Sequence, residues 1–441
     1  MIVTRISDIL THKSTWKYYK EYTKTQWYSK EEMEAYRFIK LKKMIEHCYE
    51  NVPYYTMLMK RMDISPSDFS QTSDISIFPI LTKDIIKENY NLFVPINIKS
   101  IKGVKLGQTG GTTGNVLFKR NDANSRSSVW GAYNRFYDWM GIKENDKNVI
   151  IKGGHTKQQK FKDAIKVHFA RALTHTYFLD AYNTAATNVE LLQKIFSQHD
   201  ISLIRGYSQA LFEIAKEIEH QNLSFNVKAI STTSEPLMPE YRSIIGKAFN
   251  TQLYDQYGCG EIGSIAFECN EHSGLHVAEE RVILEIINGQ DIIVTDLDNF
   301  AMPFIRYEIG DEAEISNSKC TCGREGMIIS KIRGRSCDYL ISKEGERVHW
   351  GVIFHLMWDT KIAVNKNMKK YQLIQKSTDE VLFRYISDEL TESEKNIIID
   401  GIRIRLGNVQ VHFSQEKEIE TTKTGKHRMV ICNVPNDSIN K

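Results

Sequence analysis

The stretch Tyr254–Cys269 reads YDQYGCGEIGSIAFEC and decides which kind of α/β fold the chain can adopt. Gly258, Gly260 and Gly263 match the G-x-G-x-x-G spacing of a dinucleotide-binding turn. That fingerprint requires an amphipathic helix after the last glycine, because the N-terminal amides of the helix hold a pyrophosphate. An apolar run of strand type follows instead. We therefore predict a tight glycine turn that presents the Glu261 carboxylate to a metal ion that a polyphosphate also binds.

Length and composition bound the class of protein. A chain of 441 residues exceeds what one hydrophobic core usually supports, so we expect two or more domains. Lys and Arg number 58 against 55 Asp and Glu, and this even balance argues against a nucleic-acid partner. No apolar run approaches the ~18 residues of a membrane span, and the N-terminus lacks the apolar core of a signal peptide. Seven cysteines favour a reducing compartment, so we expect a soluble, cytoplasmic protein.

The first three quarters of the chain carry an alternating pattern of helices and strands. Ser29 and Glu32 form a capping box, and apolar residues then recur at helical spacing until Pro53. From about residue 75 to residue 330, the runs NVIIK, SLIRGY, VKAISTT, TQLYDQY and DIIVTDL predict strands. Helical stretches at Asn188–Gln198 and Ala210–His220 lie between them. This alternation predicts an α/β layered domain.

After KIRGRSCDYLIS the pattern changes. We predict a hairpin turn at Glu344–Gly345, a short helix near Trp350, strands at KYQLIQK and EVLFRYI, a helix capped by Thr391 with Glu394, and closing strands at VQVHF and RMVI. These elements indicate a second domain of about 100 residues that begins near Gly334.

A second informative stretch is GQTGGTTGNVLFKR, which runs from Gly107 to Arg120. Glycines interleaved with threonine hydroxyls form a loop that can surround phosphate oxygens. It is not a Walker A loop, because Asn115 stands where the lysine would be. A plain Gly/Thr turn between two strands explains the composition equally well.

Seven segments in order resemble the adenylate-forming superfamily, and most closely the phenylacetate-CoA ligase family with its capsule-biosynthesis (CapK-like) members. They are LKKMIEHCYENVPYY, TGGTTGN, STTSEPL, YGCGE, MPFIRYEIGD, GRSCDYLI and TKTGKHR. The resemblance spans nearly the whole chain. It implies a large layered α/β adenylation domain over residues 1–333 and a small, mobile α+β domain over residues 334–441.

The resemblance also implies a role for each matching residue. The phosphate loop would comprise Thr109, Gly110, Gly111, Thr112, Thr113 and Gly114, with Thr113 as a catalytic hydroxyl donor. The adenine side would comprise Ser234, Glu235, Pro236, Asp255, Tyr257 and Gly258. Glu261 would bind Mg²⁺ between phosphates, Asp311 would accept hydrogen bonds from the ribose hydroxyls, and Arg335 would steady the nucleotide. On composition alone Tyr257 fits a core tyrosine, Asp311 a turn residue, and Arg335 a solvated charge run.

Lys426 would be the cation of the adenylation step. The Thr-Gly pair of TTKTGKHR predicts a turn between strands IE and RMVI, from whose tip Lys426 projects. There an ammonium offsets the repulsion between the substrate carboxylate and the α-phosphate. In isolation a solvated turn lysine would explain the residue. At the hinge, Cys337 precedes Asp338 where the family commonly has two aspartates, so the pivot residue stays open.

A separate feature is a set of possible zinc ligands. Cys269, His276, Cys320 and Cys322 supply three thiolates and an imidazole, which suit a closed tetrahedral Zn²⁺ site. His272 is a rival ligand, and four reduced, partly buried groups without metal are the alternative.

These observations lead us to expect an ATP-dependent ligase that activates an aryl or short acyl carboxylic acid as an acyl-adenylate and releases pyrophosphate. The acyl group then passes to CoA or to another thiol or amine acceptor. An amide- or ester-forming ligase of capsule or polysaccharide biosynthesis is one alternative, and a catalytically silent nucleotide-binding homologue is another. Expected partners are the acid, ATP with Mg²⁺ and the acceptor, and a homodimer is an open alternative for its assembly.

Overall fold

The computed structural model of the protein describes residues 8, 14–108, 117–152, 175–181, 183–335, 339–345, 347–349, 370–420 and 429–434, with single positions between 356 and 368. The predicted phosphate loop Thr109–Gly114, the hinge residue Cys337, the helix near Trp350 and Lys426 lie outside the described residues. Their predicted roles therefore stay predictions. Among described residues, those up to Ile332 form one compact unit, except Gly310–Glu312, which group with a second unit from Arg333 onward.

The helices begin and end where capping residues and prolines place them. Ser29 and Glu32 form the predicted capping box of the second helix, and Pro53 begins the third helix directly after the second has ended. The described helices are α1 Thr15–Thr25, α2 Lys30–Asn51, α3 Pro53–Arg61, α4 Lys83–Glu88, α5 Ala123–Trp139, α6 Ala185–Phe196, α7 Ser208–His220, α8 Pro239–Ala248 and α9 Glu392–Leu406. No helix in the described part of the chain combines the length and apolar composition needed to cross a bilayer.

The strands of the first unit include every one predicted from its apolar runs. They are β1 Lys105–Gln108, β2 Phe118–Asn121, β3 Lys147–Lys152, β4 Thr176–Asp180, β5 Ile201–Tyr207, β6 Ala229–Thr233, β7 Leu253–Cys259, β8 Gly263–Glu268, β9 Leu275–Val277, β10 Val282–Ile287, β11 Asp291–Asp296, β12 Tyr307–Ile315 and β13 Ile328–Arg335. β1 and β2 form a separate antiparallel hairpin, and the others form one sheet in the order β10-β11-β12-β13-β9-β8-β7-β6-β5-β3-β4.

One half of this sheet is parallel. β4, β3, β5, β6 and β7 run in the same direction, with helices α6, α7 and α8 in the connections. β7 then pairs with β8, and β8 with β9, in antiparallel fashion. Because the carboxyl ends of parallel strands meet at one edge, the loops after β5, β6 and β7 lie together there.

Helix α1 packs closely on α5 because a glycine removes the side chain between them. A Cβ at Gly131 would lie 2.6 Å from the Cβ of Tyr18. The Tyr19 hydroxyl donates to Asp138 at 2.6 Å, and the Ser14 amide donates to the Ser127 hydroxyl at 3.0 Å. α1 is thus fixed to the helix that covers β8.

The second unit is a smaller α+β structure. β14 Tyr339–Ile341 and β15 Arg347–His349 form the predicted hairpin around Gly345. β16 Lys370–Ser377, β17 Glu380–Ile386, β18 Gln410–Gln415 and β19 Val430–Cys432 form a sheet in the order β18-β17-β16-β19. Thr391 and Glu394 cap α9 as predicted. The two units confirm the predicted fold class.

The predicted strand at Ile419–Glu420 is wrong. β18 has ended at Gln415, and neither residue belongs to a strand. The physical reason is the sheet order, since β18 and β19 lie at opposite edges and β19 pairs with β16 in parallel. β18 and β19 are therefore not hairpin partners, and the residues that follow β18 are not held in a strand by pairing with β19.

Candidate functional site

The carboxyl edge of β6 and β7 brings two predicted segments together. β6 ends at Thr233, and the segment Ser234–Pro236 follows it directly. The register pairs Thr232 with Asp255, and the Thr232 hydroxyl donates to the Asp255 carboxylate at 2.7 Å. The two predicted adenine-side segments therefore share one edge of the sheet.

The segment after β6 has a specific backbone conformation. Ser234 is exposed and has φ +72°, a conformation that few residues other than glycine adopt. The Glu235 carboxylate accepts the Gln209 amide at 3.0 Å, and the Ser208 hydroxyl donates to the Glu235 carbonyl at 3.1 Å. Because both partners begin α7, Glu235 caps that helix, a structural task in addition to the predicted contact with adenine.

Asp255 and Tyr257 lie on β7 itself. The pKa of Asp255 is raised to about 7, because desolvation together with the nearby charge of Glu268 outweighs the hydrogen bond from Thr232. Tyr257 is 9 % exposed and packs in the hydrophobic core of the first unit. Its predicted stacking on adenine stays a prediction.

Glu261 lies at the tip of the hairpin between β7 and β8. Cys259 pairs with Gly263, which leaves residues 260–262 as the loop. A Cβ at Gly258 would lie 2.2 Å from the Gly263 carbonyl oxygen, and Gly263 itself has φ +92°. The turn therefore requires glycine at both positions. A strand, not a helix, follows Gly263, which confirms the tight turn and excludes the dinucleotide-binding fingerprint.

Two lysines that the motif analysis missed lie beside this loop. Lys83 Nζ is 3.5 Å from Glu261 Oε1, and the Glu261 side chain is only 12 % exposed. Lys119 is buried, its ammonium donates to the Glu261 carbonyl at 2.7 Å, and desolvation lowers its pKa. Lys119 lies a few residues after the phosphate-loop motif. A search for a lysine slightly further along the chain than Asn115 would therefore have found it. Nothing local marks Lys83.

Asp311 and Arg335 lie on other strands. Asp311 is half-buried on β12, directly after Gly310 with φ +80°. Arg335 is the last residue of β13. The described residues do not test either predicted nucleotide contact.

The structure does bring the four predicted zinc ligands together. Their ligand atoms all lie within 4.8 Å of one another. Cys269 Sγ is 3.6 Å from Cys320 Sγ, and Cys322 Sγ is 3.4 Å from His276 Nε2. A tetrahedral zinc ion places two sulfurs about 3.8 Å apart and a sulfur and a nitrogen about 3.6 Å apart. These two distances are close to the tetrahedral values, so the cluster suits Zn²⁺ as a set of ligands. The rival His272 instead contacts Gln252 and Glu268.

The groups of this Cys/His cluster differ in their protonation. Desolvation, reinforced by the charges of Arg324 and Arg135, lowers the pKa of His276 to about 4, so its imidazole is neutral at neutral pH. Desolvation raises the pKa of Cys269 to about 12. Although desolvation opposes it, hydrogen bonding that includes the Ser273 hydroxyl lowers the pKa of Cys320. Without a cation nearby, burying several thiolates here would be unfavourable.

The loop that carries two of these cysteines also touches α1. Arg324 Cζ lies 4.7 Å from the ring centre of Trp27 and 4.3 Å from that of Trp139. Gln26 Oε1 accepts both Arg324 Nε at 3.0 Å and Trp139 Nε1 at 2.9 Å. The Cys/His cluster is therefore linked to the end of α1 and to α5.

Sequence comparisons find known proteins that are similar to most of this chain. Residues 340–433 match the family model of the CapK C-terminal domain. The chain is 26 % identical to Protein CapK of Staphylococcus aureus over 87 % of this chain and 86 % of that protein. It is 24 % identical to phenylacetate-coenzyme A ligase of Thermus thermophilus over 71 % of this chain and 72 % of that protein.

Solved structures with a similar fold also cover most of this chain. A 2-hydroxyisobutyryl-CoA ligase in the postadenylation state, in complex with R3-HIB-AMP, superposes with a TM-score of 0.71. The identity is 17 %, over 90 % of this chain and 89 % of that one. The chain therefore has the fold of the adenylate-forming CoA ligases, and most of its length is similar in sequence to CapK and to the phenylacetate-CoA ligases.

Proposed function

We propose that the protein activates a carboxylic acid with ATP as an acyl-adenylate and then transfers the acyl group to CoA or a comparable thiol. The observation that carries this proposal is the glycine hairpin that presents Glu261 directly after β7, the strand that pairs in parallel with β6, after which Ser234–Pro236 follow. Open α/β sheets bind ligands at the carboxyl edge of their strands. The similarity to phenylacetate-CoA ligases supports the same chemistry.

The reaction has two half-reactions. In the first, a carboxylate oxygen of the acid attacks the α-phosphorus of ATP, the bond from that phosphorus to the bridging oxygen breaks, and pyrophosphate leaves. In the second, the acceptor thiolate attacks the acyl carbon, and AMP leaves with the electron pair of the broken C–O bond. Both half-reactions bring anions together, so positive charge must be placed precisely.

Glu261 is the proposed ligand of the Mg²⁺ that accompanies ATP. Mg²⁺ usually takes one or two protein carboxylates and completes its shell with phosphates and water, which a single half-buried carboxylate suits. When bound, Mg²⁺ neutralises charge on the phosphate oxygens. The proposal also includes the nucleotide contacts that the resemblance implies for Thr113, Asp311, Arg335 and Lys426.

A second candidate concerns the acceptor. The alternative is an amide- or ester-forming ligase of capsule or polysaccharide biosynthesis, and the match of residues 340–433 to the CapK C-terminal domain is compatible with it. The first half-reaction is the same in both cases. Only the second, with CoA and amines offered side by side, distinguishes them.

The decisive experiment is the exchange of labelled pyrophosphate into ATP over a panel of aryl, hydroxy and short acyl acids. We expect exchange with at least one acid class, and a loss of about 10²-fold or more in Glu261→Gln, since that amide cannot bind Mg²⁺ as a carboxylate does. Thr113→Ala should weaken exchange through a lost phosphate donor. Wild-type exchange in both variants would disprove the site assignment. Failure of every acid would favour the catalytically silent homologue.

We also propose that the Cys/His cluster binds one structural Zn²⁺ through Cys269, His276, Cys320 and Cys322. Four donors leave no open position, so the ion would stabilise the fold and take no part in the reaction. Its contribution would be to hold the loop between β12 and β13 against β8 and β9, the strands that extend from the Glu261 hairpin.

A further inference from the structure

Two buried cations donate hydrogen bonds to carbonyl oxygens of the hairpin loop at Glu261. Lys119 donates to the Glu261 carbonyl oxygen, and Arg281 donates to the Ile262 carbonyl oxygen and also to that of Ser264 on β8. The bond from Arg281 Nη2 to Ile262 is 3.3 Å long. Lys119 is 8 % exposed and Arg281 is fully buried. Cations buried to this degree are unusual and need compensation.

Neither cation has a carboxylate within ion-pair distance in the part of the chain that the structure describes, but the buried Asp296 carboxylate interacts electrostatically with both. Each cation also donates a hydrogen bond to a carbonyl of the hairpin loop. Charged donors form shorter, stronger and more directional hydrogen bonds than neutral ones. The arrangement therefore fixes the path of the loop backbone.

Arg281 has its own support from behind. Its Nε donates to the Ser128 hydroxyl at 3.0 Å, and that hydroxyl also bonds to the Asp298 carboxylate. Asp298 is in turn paired with Lys40 at 2.7 Å. This buried chain sets the orientation of the guanidinium before any ligand binds.

Lys119 joins two separate parts of the proposed site. It lies on β2, the strand that leaves the predicted phosphate loop, while its acceptor lies on the loop of the β7–β8 hairpin. The two residues are 142 positions apart in sequence. The contact therefore sets the distance between the base of the predicted phosphate loop and the proposed magnesium ligand.

We infer that Lys119 and Arg281 are positioning residues that hold the 260–262 loop and thereby place the Glu261 carboxylate for metal-nucleotide binding. This inference rests on the proposed function, because it takes Glu261 as the magnesium ligand. Lys119 and Arg281 act through the loop backbone and touch no reacting atom. Loss of a supporting hydrogen bond behind a metal ligand typically lowers metal affinity or activity by about 10- to 100-fold.

The test compares Lys119→Met, Arg281→Met and the conservative Lys119→Arg with Lys366→Met as matched control. The Lys366 ammonium also donates to a backbone carbonyl, that of Glu389 at 3.0 Å, but Lys366 belongs to the second unit. The Mg²⁺ midpoint of pyrophosphate exchange should rise about 10- to 100-fold in both test variants. Lys119→Arg should restore much of the wild-type midpoint, and Lys366→Met should stay within about twofold of wild type.

A second readout needs neither metal nor activity. In the ligand-free protein, hydrogen exchange of the amides around residues 260–264 should be faster in Lys119→Met and Arg281→Met and unchanged in Lys366→Met. Should Arg281→Met fail to fold, Lys119→Met and Lys119→Gln carry the same comparison. Equal shifts in Lys119→Met and Lys366→Met would overturn the inference. Pyrophosphate exchange at the wild-type rate in Glu261→Gln would instead overturn the proposed function.

Discussion

At the scale of single residues, Asp255 is unusual because it is an acid that its surroundings keep partly protonated. Desolvation raises its pKa to about 7, and the neighbouring Glu268 carboxylate adds to the effect. Its Oδ1 accepts two hydrogen bonds, from the Thr232 hydroxyl and from the Gln256 amide. Ionisation of Asp255 therefore opposes folding, although the two hydrogen bonds that the carboxylate accepts favour the ionised form.

This predicts a pH-dependent stability with a defined sign. An unfolded aspartate has a pKa of about 3.9, so between about pH 4 and pH 7 the native state binds a proton that the unfolded state has lost. The contribution of Asp255 to the free energy of unfolding therefore falls as pH rises through this window and is constant above it. In Asp255→Asn the amide oxygen still accepts both hydrogen bonds. The free energy of unfolding of this variant, relative to that of the wild type, should therefore increase by about 1 kcal/mol or more between pH 5 and pH 8.

Urea unfolding at a series of pH values measures this gap. Asp146→Asn is the matched control, because hydrogen bonds and the charge of Lys228 outweigh desolvation and lower the pKa of Asp146. Its stability difference from wild type should not change between pH 5 and pH 8. A constant difference for Asp255→Asn as well would show that the carboxyl is ionised throughout.

At the scale of elements, the loop between β12 and β13 connects three parts of the first unit. It supplies Cys320 and Cys322 to the Cys/His cluster and places Arg324 between Trp27 and Trp139. Arginine between two indole rings is a favourable cation–π arrangement. A metal in the cluster would stabilise the same loop from its other side.

We therefore predict that about one Zn²⁺ per chain co-purifies with the protein. A ligand that binds only the native state adds to stability, so a chelator should lower the melting temperature before it lowers exchange activity. Cys320→Ser should lose most of the zinc. Elemental analysis and thermal unfolding provide the two measurements.

Cys432→Ser is the matched control for this experiment, since Cys432 lies on β19 and its thiol contacts Gln375 rather than the cluster. It should keep its zinc. Full zinc content in Cys320→Ser, or no zinc in the wild type, would leave four reduced groups as the correct interpretation.

At the scale of the whole molecule, the proposed role of Lys426 can be tested by assaying the two half-reactions separately. If it supplies the cation of adenylation alone, Lys426→Ala should lower pyrophosphate exchange by about 10²-fold or more while transfer from a supplied acyl-adenylate continues. Lys423→Ala, three residues away, should affect neither. Equal losses in both half-reactions would indicate a general structural role, and unchanged exchange would show a solvated lysine.

Much of the fold could be predicted because its signals are local. The runs VKAISTT and TQLYDQY are buried strands, and the capping boxes at Ser29 and Thr391 begin helices as expected. The strand at Ile419–Glu420 could not be judged locally, since only the sheet order shows that β18 and β19 lie at opposite edges.

The candidate site divides in the same way. The spacing of Gly258 and Gly263 indicated the hairpin, and cysteine and histidine chemistry indicated the cluster. Lys119 and Arg281 could not be assigned, because each meets the loop only through the folded sheet. Lys119 is far from Glu261 in sequence, and charged residues by themselves suggest a solvated surface.

The glycine pair of the β7–β8 hairpin also determines how relatives of this protein can diverge. Gly258 leaves no space for a Cβ, and Gly263 combines a positive φ with a Cβ position 2.8 Å from Val129. Selection for folding alone therefore retains both glycines, whatever the chain does. Only selection for the reaction retains the acid between them. A descendant that keeps the glycines and has lost the acid can accordingly be identified as one that still folds but has abandoned this chemistry.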